Sequence, residues 1–142
     1  MDLNEQLRRD EGVRYLPYKD SLGILTIGVG HRILPTDTFS TSVPISDETV
    51  NALLDADIAG KQAELVAFPW FMDLDECRQG GITNMAFNIG THGVLGFPTM
   101  IHCLTQQDWR GAHDAALDSL WAKQVGERAI RIATQLLTGI WQ

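Results

Sequence analysis

Cysteine is nearly absent from this chain: Cys77 and Cys103 are the only two in 142 residues. Two are too few for a disulfide framework, and their spacing is not that of a metal-binding pair, so they read as partly buried thiols. Basic residues are scarce as well, 11 Lys and Arg against 18 Asp and Glu, for a net charge of −7. A protein that grips nucleic acid through its phosphates needs a basic face, so that class is excluded. Binding to any anionic surface, a bacterial wall included, is disfavoured on the same ground. No run of about 18 apolar residues occurs, which excludes membrane insertion by a helix. The opening MDLNEQLRRDEG has no apolar stretch of the kind a signal peptide carries. A soluble domain is expected, one that needs another agent to carry it out of the cytoplasm. His92, His102 and His113 show no paired pattern, so neither a metal nor another cofactor is implied.

What is present suits a single globular domain, with 44% hydrophobic and 20% charged residues. Residues 2–11 read as a short amphipathic helix, with Leu3 and Leu7 on one face and Gly12 as its stop. From Tyr15 to Ile33, Pro17, Gly23, Gly28 and Gly30 punctuate β-favouring runs, which predicts a hairpin or a three-stranded sheet. Residues 34–46 have loop composition. Ser46 followed by Asp47 and Glu48 predicts a helix start, and Val50, Leu53, Leu54, Ile58 and Leu65 keep helical spacing to residue 66. Further helices are expected over 75–89 ending at Gly90, 97–106 opening with Pro98, 108–118 capped by Asp108, and 126–137 ending near Gly139. The fold class is therefore α+β, a small sheet-bearing lobe (1–46), a connecting helix (47–66) and a helical lobe (67–142), with a cleft expected between the lobes.

The stretch EGVRYLPYKDSLGILTIGVGH, residues 11–31, carries the chemistry. Glu11 falls at a helix end, Asp20 in the hairpin turn and Thr26 on the following strand. A hairpin folding back on the helix can set two carboxylates on either side of a groove, as glycosidic cleavage requires. One must donate a proton to the leaving oxygen while the other is ionised to activate water or attack the sugar. The spacing is compatible equally with ordinary solvated acids, Thr26 with an ordinary strand residue, and His31 with a hydrogen-bonded structural histidine.

The block RRDEGVRYLPYKDSLGILTIGVGH resembles the amino-terminal signature of the phage-type lysozymes of the T-even phage class, glycoside hydrolase family 24. That pattern is Glu, eight residues, Asp, five residues, Thr, matched by Glu11, Asp20 and Thr26. TNMAFNIGTHGVLGF, residues 83–97, resembles the second signature, and Trp109, Trp121, Arg128 and Thr138–Trp141 match the tail. The resemblance implies a peptidoglycan muramidase that cleaves between N-acetylmuramic acid and N-acetylglucosamine. Glu11 would be the general acid, Asp20 the carboxylate facing the anomeric carbon and Thr26 the holder of the attacking water. It also implies inversion, for which carboxylates stand about 6.5–9.5 Å apart.

Among substrate-facing candidates, Phe87 would pack against a sugar, Asn88 would bond an acetamido group and Arg128 would pair with Glu11 to orient it. Arg32, where the family often has Leu, is the fourth. Met100 and Ala115 stand where the family places carbohydrate-contacting side chains, and His31 matches a structural ion-paired histidine. Trp70 has no family role and reads as an apolar lid rather than a sugar platform. The resemblance further implies a monomeric endolysin released through holin pores, or a tail-borne or prophage lysozyme. A lytic transglycosylase is the rival chemistry, but it needs neither Asp20 nor Thr26.

The charge is unevenly spread. Residues 1–30 carry five acids and four bases, residues 31–76 nine and two, and residues 77–142 four and five. The acidity belongs to the loop and connecting helix, so the case against an anionic wall substrate weakens.

Overall fold

A computed structural model describes residues 1–142. The chain divides into two compact units, Asn4–Ala59 and Gly60–Gln142, the latter joined by Met1–Leu3. The division falls inside the long helix rather than at either of its ends. The architecture is α+β, helix-rich with one small antiparallel sheet.

In the first unit, α1 (Leu3–Glu11) carries Arg8 and Arg9 in its last turn, where cations suit the helix dipole. It buries Leu7 completely. Gly12 ends it at φ +75, donating its N–H to the Arg8 carbonyl at 3.0 Å. The sheet follows in the order β1 (Arg14–Lys19), β2 (Leu25–Gly28), β3 (His31–Arg32), the three-stranded alternative foreseen from the glycine spacing. Tyr18 stands opposite Thr26, and Thr26 opposite Arg32.

The loop over 34–46 is tied back where the Ile45 N–H donates to the Tyr15 carbonyl at 2.9 Å. Ser46 then caps α2 (Asp47–Leu65), its hydroxyl accepting from the Thr49 N–H at 3.1 Å. Val50 and Leu54 are the fully buried positions of that helix in this unit. Arg8 binds both Asn4 and Asn51 through its guanidinium, which ties α1 to α2.

The second unit is all helical: α3 (Pro69–Met72), α4 (Glu76–Leu95), α5 (Pro98–Thr105), α6 (Trp109–Leu117), α7 (Leu120–Val125) and α8 (Glu127–Thr138). Gly90, where the helix is expected to end, kinks α4 at φ +79 and ψ 159, and helical turns resume to Leu95. Asp75 and Asp108 cap α4 and α6 by accepting the Arg78 and Gly111 N–H groups. Gly139 closes α8 in the left-handed conformation.

Gly80–Ala86 of α4 are buried without a break, because α4 is the axis of the unit and not a surface helix. Ile82, Met85, Leu104, Trp121, Ile132 and Leu136 are among the core residues around it. The short helices α3 and α7 were not foreseen. Six residues opened by Ser119 and closed by Gly126 at φ +62 are too few to show a helical period. No helix is long and apolar enough to cross a membrane.

Candidate active site

Glu11 is the last residue of α1, and its side chain lies against the β2–β3 turn. A Cβ at Gly30 would stand 3.0 Å from Glu11 Oε2, and Gly30 itself has φ +64. Glycine is thus required there twice, by the backbone and by the carboxylate.

Asp20 opens the hairpin turn. Its Oδ1 accepts the backbone N–H groups of Leu22 and Ile24, both at 2.9 Å, and its own N–H donates to the Ile24 carbonyl. This is the turn chemistry for which Asp is favoured. It fixes one carboxylate oxygen and leaves Oδ2 outside the turn.

Thr26 is 5% exposed on the central strand, and its hydroxyl donates to the Ile24 carbonyl at 2.8 Å. A carbonyl only accepts, so Thr26 presents only lone pairs to anything else. Directly opposed residues of an antiparallel pair share a face, so Tyr18, Thr26 and Arg32 form one row.

Tyr18 links the two acids. Its phenol is held above the ordinary value near 10, first by burial and then by the negative charge of Glu11; the Arg14 guanidinium works the other way, and Asp20 adds to the rise. Arg14 lies over the Tyr18 ring at 4.8 Å. One phenol thus stands in the field of both carboxylates. The place of Tyr18, two residues before Asp20 and across the hairpin from Thr26, is the signal of this link in the sequence.

His31 is not in this row. Its ring binds Asp57 at 2.8 Å through Nδ1 and Asp37 at 3.2 Å through Nε2. Burial lowers its pKa, but the hydrogen bonds and charges of Asp57 and Asp37 outweigh it and leave a net rise. The ion-paired structural role expected of His31 is what the structure contains.

The remaining candidates belong to the helical unit. Asn88 is anchored by the indole N–H of Trp121, which donates to its Oδ1 at 2.7 Å and leaves the amide N–H groups pointing elsewhere. Phe87 beside it is half-buried. Arg128 is buried, with Nε donating to Asn84 Oδ1 at 3.0 Å and Nη2 reaching the Asn84 carbonyl at 3.4 Å.

Met100 is fully buried in the core and Ala115 packs against it, so these two positions serve packing. Trp70 does likewise, edge-on to Phe71 with ring centres 6.2 Å apart. Cys77 and Cys103 are free and half-buried, and burial is the main cause that raises both thiols. No group of three or more His, Cys, Asp or Glu side chains is arranged to hold a metal.

A profile of the phage lysozyme family matches residues 8–135, across the Glu11–Asp20–Thr26 hairpin and most of the helical unit. The chain belongs to the phage lysozyme family. The lysozyme domain is 34% identical, over 161 aligned positions, to the pre-baseplate central spike protein of Enterobacteria phage T4, covering 98% of this chain and 28% of that protein. It is 34% identical to an SAR-endolysin of Bacteriophage PS34, covering 73% and 59%, and 32% identical to the endolysin of Salmonella phage P22, covering 83% and 79%. The chain thus spans less than two thirds of the spike protein and of the SAR-endolysin. By family the domain is a glycoside hydrolase of the lysozyme type.

Proposed function

We propose that the lysozyme domain cleaves the β-1,4 bond between N-acetylmuramic acid and N-acetylglucosamine by acid/base catalysis with inversion. Glu11 gives its proton to the leaving glycosidic oxygen. Asp20 takes a proton from water at the anomeric carbon, and Thr26 holds that water. The observation that carries this reading is the placement of Glu11 at the end of α1 against the β2–β3 turn, with Asp20 held in the hairpin turn and Thr26 on the strand that follows it.

Thr26 has committed its own proton to the Ile24 carbonyl. A water between Thr26 Oγ1 and Asp20 Oδ2 therefore donates one hydrogen to each and aims a lone pair at the sugar. As Asp20 takes one of those protons, the C–O bond to water forms on the face opposite the departing oxygen, which Glu11 protonates. Phe87 and Asn88 are assigned to sugar contacts, and Arg32 to the substrate side of the sheet.

Nuclear magnetic resonance of the first product tests the stereochemistry: a new α-anomeric reducing end is expected, and a β-anomer would refute inversion. Glu11→Gln and Asp20→Asn should each lower turnover at least a thousandfold with folding intact. If 1,6-anhydromuramyl ends dominate the digest, the chemistry is that of a lytic transglycosylase.

The endolysin relatives support action in the periplasm; with it go, as our reading, synthesis in the cytoplasm, a monomeric state and release through holin pores. The spike-protein relative supports a second setting, a lysozyme domain carried on a phage tail. Deleting the gene for this domain separates them: in the first setting the host fails to lyse from within, and in the second lysis proceeds while the released particles infect poorly.

A further inference from the structure

Two arginines belong to the sheet, and they are used differently. Arg14 stacks its guanidinium on the Tyr18 ring. The Arg32 side chain is exposed, and its guanidinium makes no hydrogen bond, ion pair or ring contact with any residue of the protein. That isolation is unexpected in its surroundings. Residues 31–76 hold nine acids and only two bases, Arg32 and Lys61, yet the nearby acids are engaged elsewhere. Asp37 and Asp57 both turn to His31, the residue before Arg32. Since successive residues of a strand point to opposite faces, His31 takes those carboxylates on one side and Arg32 projects on the other. The side it projects to is that of Thr26, its direct partner across β2.

A guanidinium with five donors and no intramolecular partner, one strand away from the water-holding threonine, is built to take a planar anion in bidentate fashion. The acid-rich segment around it also repels anions that lack such a contact. Peptidoglycan supplies the matching group at regular spacing. Its muramyl residues carry a lactyl group that ends in a free carboxylate or is extended by a stem peptide bearing carboxylates.

We propose that Arg32 is a specificity-determining residue that binds a carboxylate carried by the muramyl residue, so that the domain selects anionic over neutral glycan strands. This rests on the muramidase reading above and adds to it which feature of the wall is read.

The test uses the whole chain as wild type, Arg32→Gln and Arg32→Lys. The substrates are uncross-linked peptide-bearing strands, the same strands with every peptide carboxylate capped as a methylamide, and strands stripped of peptide, which regain the lactyl carboxylate. On peptide-bearing strands, Arg32→Gln should raise KM about threefold to tenfold while kcat and the melting temperature stay at wild-type values. Arg32→Lys should fall between, because a point charge keeps the attraction and loses the fork. On capped strands wild type and Arg32→Gln should have the same KM. A difference confined to peptide-bearing strands assigns the contact to a peptide carboxylate, and one confined to stripped strands assigns it to the lactyl carboxylate, which the stem peptide otherwise ties up as an amide. An unchanged KM for Arg32→Gln on both carboxylate-bearing substrates overturns the proposal. So does an equal rise on capped and uncapped strands, which would mean that shape and not charge is read. Failure of the muramidase reading looks different, since wild type would then release no reducing ends from any of the three.

Discussion

At the scale of single residues, Gly30 is the position where the backbone and the chemistry constrain each other most closely. Its φ of +64 disfavours any side chain, and a Cβ would press on the Glu11 carboxylate at 3.0 Å. Gly30→Ala should cost about 1–2 kcal/mol of stability. Its larger effect should be on turnover, lowered about a hundredfold by displacing the acid, since a misplacement near 1 Å costs on that order. Denaturant unfolding beside kcat separates the two; a variant that loses stability alone would show that Glu11 does not depend on this turn.

His31 makes a second residue-scale expectation, in pH. Its folded-state pKa is raised above the ordinary value near 6.5, so its contribution is complete below that value and fades as pH rises through the folded pKa. The gap in melting temperature between wild type and His31→Asn should be widest below about pH 6.5 and narrow as pH rises above it. A gap that grows with pH would contradict the ion pairing with Asp57 and Asp37.

At the scale of elements, helix ends were the most legible feature of the chain. Ser46, Asp75, Asp108 and Gly139 end helices by local chemistry, and the first three accept backbone N–H groups within three residues of themselves. What joins one helix to another was not legible. Arg78 of α4 donates to the Leu136 carbonyl at 2.7 Å and to the Leu137 carbonyl at 3.1 Å, which satisfies the end of α8. The same guanidinium stacks on Trp109 of α6 at 3.8 Å and pairs with Asp75. Arg78→Ala should therefore destabilise by about 1.5–3 kcal/mol, the range for bonds to a charged group. Arg78→Lys should recover little of it, because an ammonium cannot fork between two carbonyls and stack at once. Chemical denaturation measures this; near-complete rescue by Lys would reduce the role to that of a simple charge.

At the scale of the whole molecule, the net charge of −7 and its confinement to residues 31–76 set how the domain meets its substrate. Residues 77–142, with four acids and five bases, are close to neutral. Long-range attraction to an anionic wall is therefore weak, and added salt has little to screen. Wall-clearing activity should change less than threefold between about 25 and 150 mM salt, while a basic lysozyme loses far more. A steep loss would mean that the wall is approached through a charged face other than the one the sequence describes.

The sequence by itself determined the α+β class, the order and ends of the longer elements, and the Glu11, Asp20 and Thr26 pattern with its family. These are local properties, set by periods of two or 3.6 residues, by caps and by turn chemistry. Tertiary structure alone decided which side chains meet. His31 finds Asp57 26 residues away, Asn88 finds Trp121 33 away, Arg128 finds Asn84 44 away and Arg78 finds Leu136 58 away. It also placed Met100 in the core and left the Arg32 guanidinium without a partner beside Thr26. Such pairings depend on how whole elements pack, and a buried polar group takes whatever partner that packing brings within about 3 Å.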